Sequence, residues 1–357
     1  MASIKDFTTI DMFCGVGGLT HGLLKEGISV VAGYDFDKSC KYAFEKNNNS
    51  VFITKDIKEV TSDEVNFFFG KKRKILVGCA PCQPFSLYTN RKKTSENDKW
   101  ALLYSFARLI KEVQPEIVSM ENVPQLAQFD GGKVLKDFIQ SLEDDKYSIT
   151  YKIINAQDYG VPQRRKRLIL LASKHGEIEL ISPTHNKNNL KTVRKAIGHL
   201  TPIEDGVTDP NDALHYARKL TDLNKKRIQA TREGGFWREW DESLWLDCHK
   251  KEGGKSFRSV YGRMVWEDVS PTMTTCCVGL GNGRFGHPEQ DRAISLREAA
   301  IFQSFPEKYD FINPEIPFSS SAIARQIGNA VPVDLGAAIG ASIKKHLEDL
   351  NIISNEN

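Results

Sequence analysis

The chain has 357 residues, 40% of them hydrophobic and 27% charged, and a formal net charge of +3. This composition is ordinary for a globular protein of about two domains, and the small net charge neither requires nor excludes a nucleic-acid partner. The sequence has no apolar signal-peptide core at its start and no stretch of about 18 apolar residues, so we predict a cytoplasmic protein without a membrane span. Seven widely spread cysteines predict free thiols in a reducing compartment.

Residues 1–184 alternate between strand-like and helix-like segments. The predicted strands are Thr8–Phe13, Ser29–Gly33, Val51–Ile53, Ile75–Val77, Glu116–Met120, Ser148–Ile154 and Arg167–Ala172. The predicted helices between them are Leu19–Glu26, Lys38–Lys46, Glu64–Phe69, Ala101–Val113 and Gly132–Leu142. This alternation predicts an α/β fold, with a mostly parallel, Rossmann-like sheet covered by helices on both faces.

Residues 185–290 have no sustained period and contain four of the five tryptophans. We predict a smaller, irregular domain there. Helical patterns return in Ser295–Gln303 and in Ala322–Leu350, the latter broken near Asn329–Pro332. The predicted division of the chain is therefore 1–184, 185–290 and a C-terminal segment, 291–357, that returns to the first domain.

A glycine-rich segment, Asp11–Gly18, joins the first predicted strand to the first predicted helix. Glycines at such a junction let the backbone approach a ligand closely, and the helix N-terminus favours polar or anionic groups. Asp35 and Asp56 follow the next two strands, and a carboxylate after the second strand commonly binds ribose hydroxyls. Each acid alone could equally be a solvated helix cap. Together with the glycines they favour a nucleoside-containing cofactor.

The segment Gly78–Ser86 follows the fourth predicted strand and has the sequence GCAPCQPFS. Prolines at positions 81 and 84 restrict the backbone on either side of Cys82, and a stiff loop suits a nucleophile that must be aimed. Cys79 and Cys82 also form a C-x-x-C pair, so a redox pair or half of a zinc site is the alternative. The sequence has no second C-x-x-C pair, and we predict no metal.

Glu121 follows the fifth predicted strand. The carboxyl ends of parallel strands meet at one sheet edge, so Glu121 and Cys82 are predicted to lie together as proton donor and nucleophile. The alternative is that Glu121 caps the following turn.

Four cationic residues, Arg164–Arg167, precede the last predicted strand of the first domain. Alternation along a strand would place Arg165 and Arg167 on one face. Such a run suits contact with phosphate or a base, although a solvated basic turn is equally compatible with it.

In order and spacing, these segments resemble the sequence blocks of the DNA cytosine-5 methyltransferases. Further blocks that resemble this family are Pro271–Thr275, Arg292–Ala300, Gln303–Pro306 and Gln326–Pro332. The resemblance runs from Thr9 to about Ile343 and leaves out only 185–269, where the family has its variable target-recognition region. The chain departs from the family in Cys79 and Ala80, which replace the usual second glycine and first proline before the nucleophile.

The resemblance implies a DNA cytosine-5 methyltransferase that uses S-adenosylmethionine and acts on a cytosine flipped out of double-stranded DNA. Cys82 would add to C6 of the base, and Glu121 would contact N3 and the amino group. The implied catalytic residues are Cys82, Glu121, Arg165 and Arg167. The implied cofactor-binding residues are Phe13, Gly15, Gly17, Asp35, Asp56, Ile57, Pro81, Leu103, Asn329 and Val331. The implied DNA-binding residues are Gln83, Ser86, Arg164 and Arg165.

Three other functions are compatible with parts of the sequence. One is methylation of a transfer RNA by the same family, and another is a non-catalytic adaptor that binds S-adenosylmethionine or DNA. The third is a nicotinamide-dependent oxidoreductase on a similar sheet, in which the proline-bounded cysteine has no task. We expect a monomer whose irregular domain reads DNA in the major groove, with no membrane partner.

Overall fold

The structure is a computed structural model that describes residues 3–81, 101–257 and 259–352. Contacts divide these residues into two compact units. The first unit contains the described residues of Met1–Tyr159, Lys166–Thr184 and Val331–Asn357, and the second contains those of Gly160–Arg165 and His185–Ala330.

The first unit is built on one sheet of seven strands. The strands are β1 (Phe7–Met12), β2 (Val30–Asp35), β3 (Val51–Thr54), β4 (Arg73–Gly78), β5 (Ile117–Asn122), β6 (Ser148–Asn155) and β7 (Lys166–Ser173). Their order across the sheet is β3-β2-β1-β4-β5-β7-β6, and the first five are parallel to one another. Strand β7 runs antiparallel to both of its neighbours, β5 and β6. The predicted α/β fold with a mostly parallel sheet is therefore confirmed.

Helices of the first unit accompany this sheet. They are α1 (Gly18–Lys25), α2 (Lys41–Asn48), α3 (Ser62–Phe69), α4 (Ala101–Val113), α5 (Lys133–Asp144) and α10 (Val333–Asp349). All six residues of β1 and of β5 are buried, as expected for parallel strands covered on both faces. Among the described residues, no helix is long and apolar enough to cross a membrane.

One edge of this sheet collects the residues that the sequence predicts to be functional. The parallel strands β1, β2, β4 and β5 all end there. The antiparallel strand β7 begins at the same edge, because Leu168 near its start pairs with Asn122 at the end of β5. Side chains at or just after the ends of four strands, together with Arg167 near the start of a fifth, are thereby brought to one edge.

The last helix of the first unit packs directly on the first. A Cβ atom placed on Gly22 in α1 would lie 2.4 Å from the carbonyl oxygen of Val333, so only glycine permits this approach. The break predicted near 329–332 separates α9 (Ser320–Asn329) from α10. By its contacts, Val331 belongs to the first unit and Asn329 to the second.

The second unit has short elements and many turns. Its helices are α6 (Val193–Ile197), α7 (Asp222–Gln229), α8 (Leu296–Phe302) and α9, and its two strands, β8 (Thr208–Asp209) and β9 (Asp212–Tyr216), form a hairpin. Buried charges hold it together, as in the pair formed by Arg292 and Glu298, 2.7 Å apart and each 1% exposed. The sequence predicts a boundary at residue 290, whereas the second unit extends to Ala330. Arg297 in α8 is part of this unit and donates to the carboxyl group of Asp212 at the start of β9.

Candidate active site

The predicted nucleophile, Cys82, and the predicted DNA contacts Gln83 and Ser86 lie outside the described residues. The structure does describe the first residues after β4, which lead into this segment. The N–H of Cys79 donates to the carbonyl oxygen of Met12 at 3.2 Å. The side-chain Nδ2 of Asn122 donates to the carbonyl oxygen of Ala80 at 3.3 Å. The start of the nucleophile loop is thus tied to the ends of both neighbouring strands.

Glu121 is the buried carboxyl group of this edge, with 2% of its surface exposed. Its Oε1 lies 2.7 Å from Nε of Arg167. Its Oε2 accepts a hydrogen bond from Sγ of Cys79 at 2.8 Å. Because Glu121 lies within β5 and pairs with Ile169 of β7, it is not a turn cap. The two carboxyl oxygens of Glu121 therefore have different partners at this edge, Arg167 at Oε1 and Cys79 at Oε2.

Arg165 and Arg167 have different surroundings, so the prediction that they share one face of a strand is wrong. Arg165 precedes β7, and its buried guanidinium donates to the carbonyl oxygens of Met273 at 3.0 Å and Gly328 at 3.2 Å. Strand alternation does not apply outside the strand. Only 4% of Arg165 is exposed, and its two contacts join peptide segments of the second unit. Its contacts with DNA and its catalytic role stay predictions.

Arg164 has an exposed ion pair. Its Nη2 lies 2.8 Å from Oδ1 of Asp268, and the two side chains are 60% and 48% exposed. Pairs of this kind contribute little to stability and exchange readily with other partners. Arg164 is therefore available to an anion outside the protein.

The glycine loop between β1 and α1 has an unusual backbone. Phe13, Gly15 and Gly17 have φ values of 62°, 51° and 89°, in the left-handed region that most side chains avoid. The N–H of Gly15 donates to Oδ2 of Asp35 at 2.9 Å, and the N–H of Asp37 donates to Oδ1 of the same carboxyl group at 2.9 Å. Burial raises the pKa of Asp35 above its ordinary value. Asp35 thus fixes the loop that the sequence assigns to the cofactor.

Asp56 and Leu103, which the resemblance assigns to cofactor binding, also have structural contacts within the first unit. Asp56 caps the short helix that begins at Ile57, since its Oδ1 accepts from the N–H of Lys58 at 3.0 Å. Leu103 is buried in the main hydrophobic core of the first unit. Ile57 lies in the same core, and Pro81 is half-buried.

Phe36 is an aromatic residue at this edge that the sequence analysis does not single out. It directly follows Asp35 and is 69% exposed. An aromatic ring left in solvent between two aspartates suits stacking on a flat, polar ligand. Its position in the sequence could have indicated this role, because Phe36 follows the second predicted strand and is adjacent to Asp35, a predicted cofactor contact.

The glycine-loop region fits a nucleoside-containing cofactor. A Cβ atom placed on Gly15 would meet nothing within 4 Å, so open space lies in front of the loop backbone. Asp35 is the last residue of the adjacent strand β2, and the exposed ring of Phe36 follows it. Among the described residues, no group of three or more His, Cys, Asp or Glu side chains is arranged to hold a metal ion.

Known proteins are similar to this chain over almost its whole length. The family model of the C-5 cytosine-specific DNA methylases matches residues 7–345. The Type II methylase M.HgiDII of Herpetosiphon aurantiacus is 54% identical over 343 residues, which cover 96% of each protein. The Type II methyltransferase M.Eco47II of Escherichia coli is 29% identical and is matched over 97% of this chain and 80% of its own length.

A solved structure shares the fold. It is described as a DNA modification methyltransferase encoded within a prophage of E. coli, and it superposes with a TM-score of 0.72 at 21% identity, covering 96% of this chain and 99% of its own. The sheet, its functional edge and the family match together define a methyltransferase. The chain belongs to the C-5 cytosine-specific DNA methylase family. It is a DNA cytosine-5 methyltransferase, as the sequence blocks predict, and not an oxidoreductase or a non-catalytic adaptor.

Proposed function

We propose that this enzyme transfers a methyl group from S-adenosylmethionine to C5 of a cytosine in a specific duplex sequence, with Cys82 as the nucleophile. Two relatives are Type II enzymes by name, and we assign this chain the same modification role beside a restriction enzyme, in the cytoplasm and as a monomer. The observation that carries the chemistry is the buried carboxyl group of Glu121. It lies between Arg167 and Cys79 beside the start of the Cys82 loop.

Cytosine C5 is a poor nucleophile until a thiolate adds to the ring. The thiolate of Cys82 forms a bond to C6, the ring electrons shift toward N3, and Glu121 supplies the proton that N3 takes up. C5 is then an enamine carbon. S-adenosylmethionine, when bound, supplies an electrophilic methyl group at its sulfonium. Afterwards N3 returns its proton to Glu121, a base removes the proton from C5, and the C6–S bond breaks to restore the ring and the thiolate.

The remaining residues of the edge orient this reaction. Arg167 holds the carboxyl group of Glu121 and is placed to meet the oxygen of the base. Cys79 and Ala80 fix the first residues of the loop that carries Cys82. A cytosine stacked in a duplex cannot reach a carboxyl group buried in a sheet edge, so the base must be flipped out, at a cost of a few kcal/mol.

The first unit supplies the proposed cofactor site. The loop Phe13–Gly17 would receive the methionine part, with Gly15 presenting its backbone to open space. Each oxygen of Asp35 already accepts one N–H but has a further lone pair for a ribose hydroxyl. Phe36 would stack on the adenine, beside Asp56 and Ile57. On the resemblance alone, Pro81, Leu103, Asn329 and Val331 stay predicted cofactor contacts.

The second unit supplies the proposed DNA contacts. Arg164, in its exposed ion pair, would exchange Asp268 for a backbone phosphate. Gln83 and Ser86 stay predicted contacts near the flipped base. The irregular part of the second unit would read bases in the major groove.

Two measurements test the proposal. Plasmid DNA from a bacterial host without its own cytosine methylases, but carrying this gene, is bisulfite-sequenced to find the methylated position. A synthetic duplex with 5-fluorocytosine at that position should then trap a denaturation-resistant adduct, because its C5 carries no proton to lose. Wild-type enzyme should form this adduct and Cys82→Ser should not. Methyl transfer to transcribed transfer RNA but not to duplex DNA would overturn the proposal.

A further inference from the structure

The thiol of Cys79 is a feature of this chain that the family pattern does not provide. The family usually has a glycine at this position, and a glycine has no side chain that could donate a hydrogen bond. Here Sγ of Cys79 lies 2.8 Å from Oε2 of Glu121. The two residues are neighbours because Gly78 of β4 pairs with Met120 of β5 in parallel register, and each chain then continues by one residue.

The two contacts of Glu121 are made to different oxygens of its carboxyl group. Sγ of Cys79 donates to Oε2. The guanidinium of Arg167 forms an ion pair with the other oxygen, Oε1, at 2.7 Å.

We propose that Cys79 is a positioning residue for methyl transfer, whose thiol holds the Oε2 side of Glu121 while Arg167 holds the Oε1 side. The inference rests on the proposed role of Glu121 as proton donor to the base. A carboxyl group with a hydrogen bond at one oxygen and an ion pair at the other is oriented before the base arrives. The thiol also links the nucleophile loop to the proton donor, since Cys79 opens that loop.

This role predicts a loss of rate without a loss of binding. Without the thiol, Oε2 of Glu121 loses the donor that orients it, so the carboxyl group meets the base in fewer productive geometries. Cys79→Ala should therefore lower kcat about tenfold, with little change in the KM for DNA.

The experiment compares Cys79→Ala, Cys79→Ser and Cys40→Ala in the full-length enzyme. Serine keeps a donor, so Cys79→Ser should restore kcat to near its wild-type value. Cys40 is a buried thiol of the same unit outside the site, and its removal should leave both kcat and KM unchanged. Rates are measured over a range of DNA concentrations on the duplex identified by bisulfite sequencing, with tritiated S-adenosylmethionine.

Two results would overturn the inference. One is a kcat of Cys79→Ala that equals the wild-type value, and the other is an equal loss of kcat in the alanine and serine variants, which would remove the donor from the explanation. A purely structural role would lower stability without the rescue of kcat by serine, and urea unfolding of each variant separates that effect. Loss of the 5-fluorocytosine adduct in the wild type, by contrast, would refute the proposed function and not the role of Cys79.

Discussion

Nε of Arg167 lies 2.7 Å from Oε1 of Glu121, with both side chains largely buried. Arg167 is the second residue of strand β7 and Glu121 is the next-to-last residue of β5, so the antiparallel pairing of these strands creates the contact. A buried carboxylate beside a reacting base needs a fixed cation, because an unpaired buried charge is costly.

Replacement of Arg167 should therefore affect both catalysis and stability. Arg167→Ala leaves the Glu121 carboxyl group buried without its cation, and we expect a loss of about 3–5 kcal/mol in the free energy of unfolding. We also expect kcat to fall by about a hundredfold, since the carboxyl group is no longer oriented. Urea unfolding and single-turnover methylation measure the two effects. Arg167→Lys, which keeps the charge without the planar donors, should recover stability better than rate. A fully active alanine variant would refute the assignment.

Cys82→Ser should abolish methyl transfer while leaving S-adenosylmethionine binding within a few-fold of wild type. A serine hydroxyl is far weaker as a nucleophile than a thiolate at neutral pH. Isothermal calorimetry measures the cofactor affinity, and incorporation of a tritiated methyl group measures the rate. Normal turnover by the serine variant would remove Cys82 from the mechanism.

Asp35→Ala should raise the Kd for S-adenosylmethionine by about tenfold or more, because two backbone N–H groups lose a charged acceptor. One of them belongs to Gly15, whose conformation shapes the proposed binding loop. Asp37→Asn is the matched control. It removes the same charge two residues away, and asparagine caps a helix as well as aspartate does. We expect the control to bind almost normally. Equal losses of affinity in both variants would point to general electrostatics and not to the loop.

Asp11 should make the stability of the first unit depend on pH. Burial raises its pKa from 3.8 to about 7, its Oδ2 accepts from Thr20 at 2.7 Å, and its Oδ1 has no hydrogen-bond partner among the described residues. Because the folded pKa lies above the unfolded one, the contribution to stability is complete below the unfolded value and is lost as pH rises through about 7.

The matched measurement is urea unfolding of the wild type and of Asp11→Asn at several pH values. The amide cannot ionise but can still accept from Thr20. Asp11→Asn should therefore be more stable than the wild type at pH 8, by about a few kcal/mol, and similar to it near pH 4. A difference in stability that does not vary with pH would contradict the raised pKa.

Arg164→Ala should weaken DNA binding on all sequences alike and reduce the salt dependence by about one ion. Asp268→Asn is its counterpart, because it releases Arg164 from the exposed ion pair and should leave binding equal or tighter. Fluorescence anisotropy over a range of salt concentrations distinguishes the two. Weaker binding in the asparagine variant would show that the pair itself positions the loop.

The sequence predicts most of the fold because local patterns and parallel strands determine it. The helix at Ala101–Val113 occurs with the predicted bounds, and β6, predicted to end at Ile154, ends at Asn155. Glu121 follows a buried strand, so its place at the functional edge could be inferred from chain order alone.

The contacts within the site could not be inferred in the same way. Cys79 and Glu121 are far apart in sequence, and only the register between β4 and β5 brings their side chains together. The burial of Arg165 depends on carbonyl oxygens from distant segments. A run of four cations gives no indication of which one is exposed, because that depends on where β7 begins.

The close packing of α10 on α1 constrains how the enzyme can be synthesised. A nascent chain that has left the ribosome only as far as Thr184 contains every strand of the large sheet but lacks the helix that covers Gly22. Its first unit cannot complete its packing before translation reaches the last helix. A premature stop codon anywhere in the second unit would therefore yield a product with an uncovered glycine-lined helix, which makes it a target for chaperones and proteases.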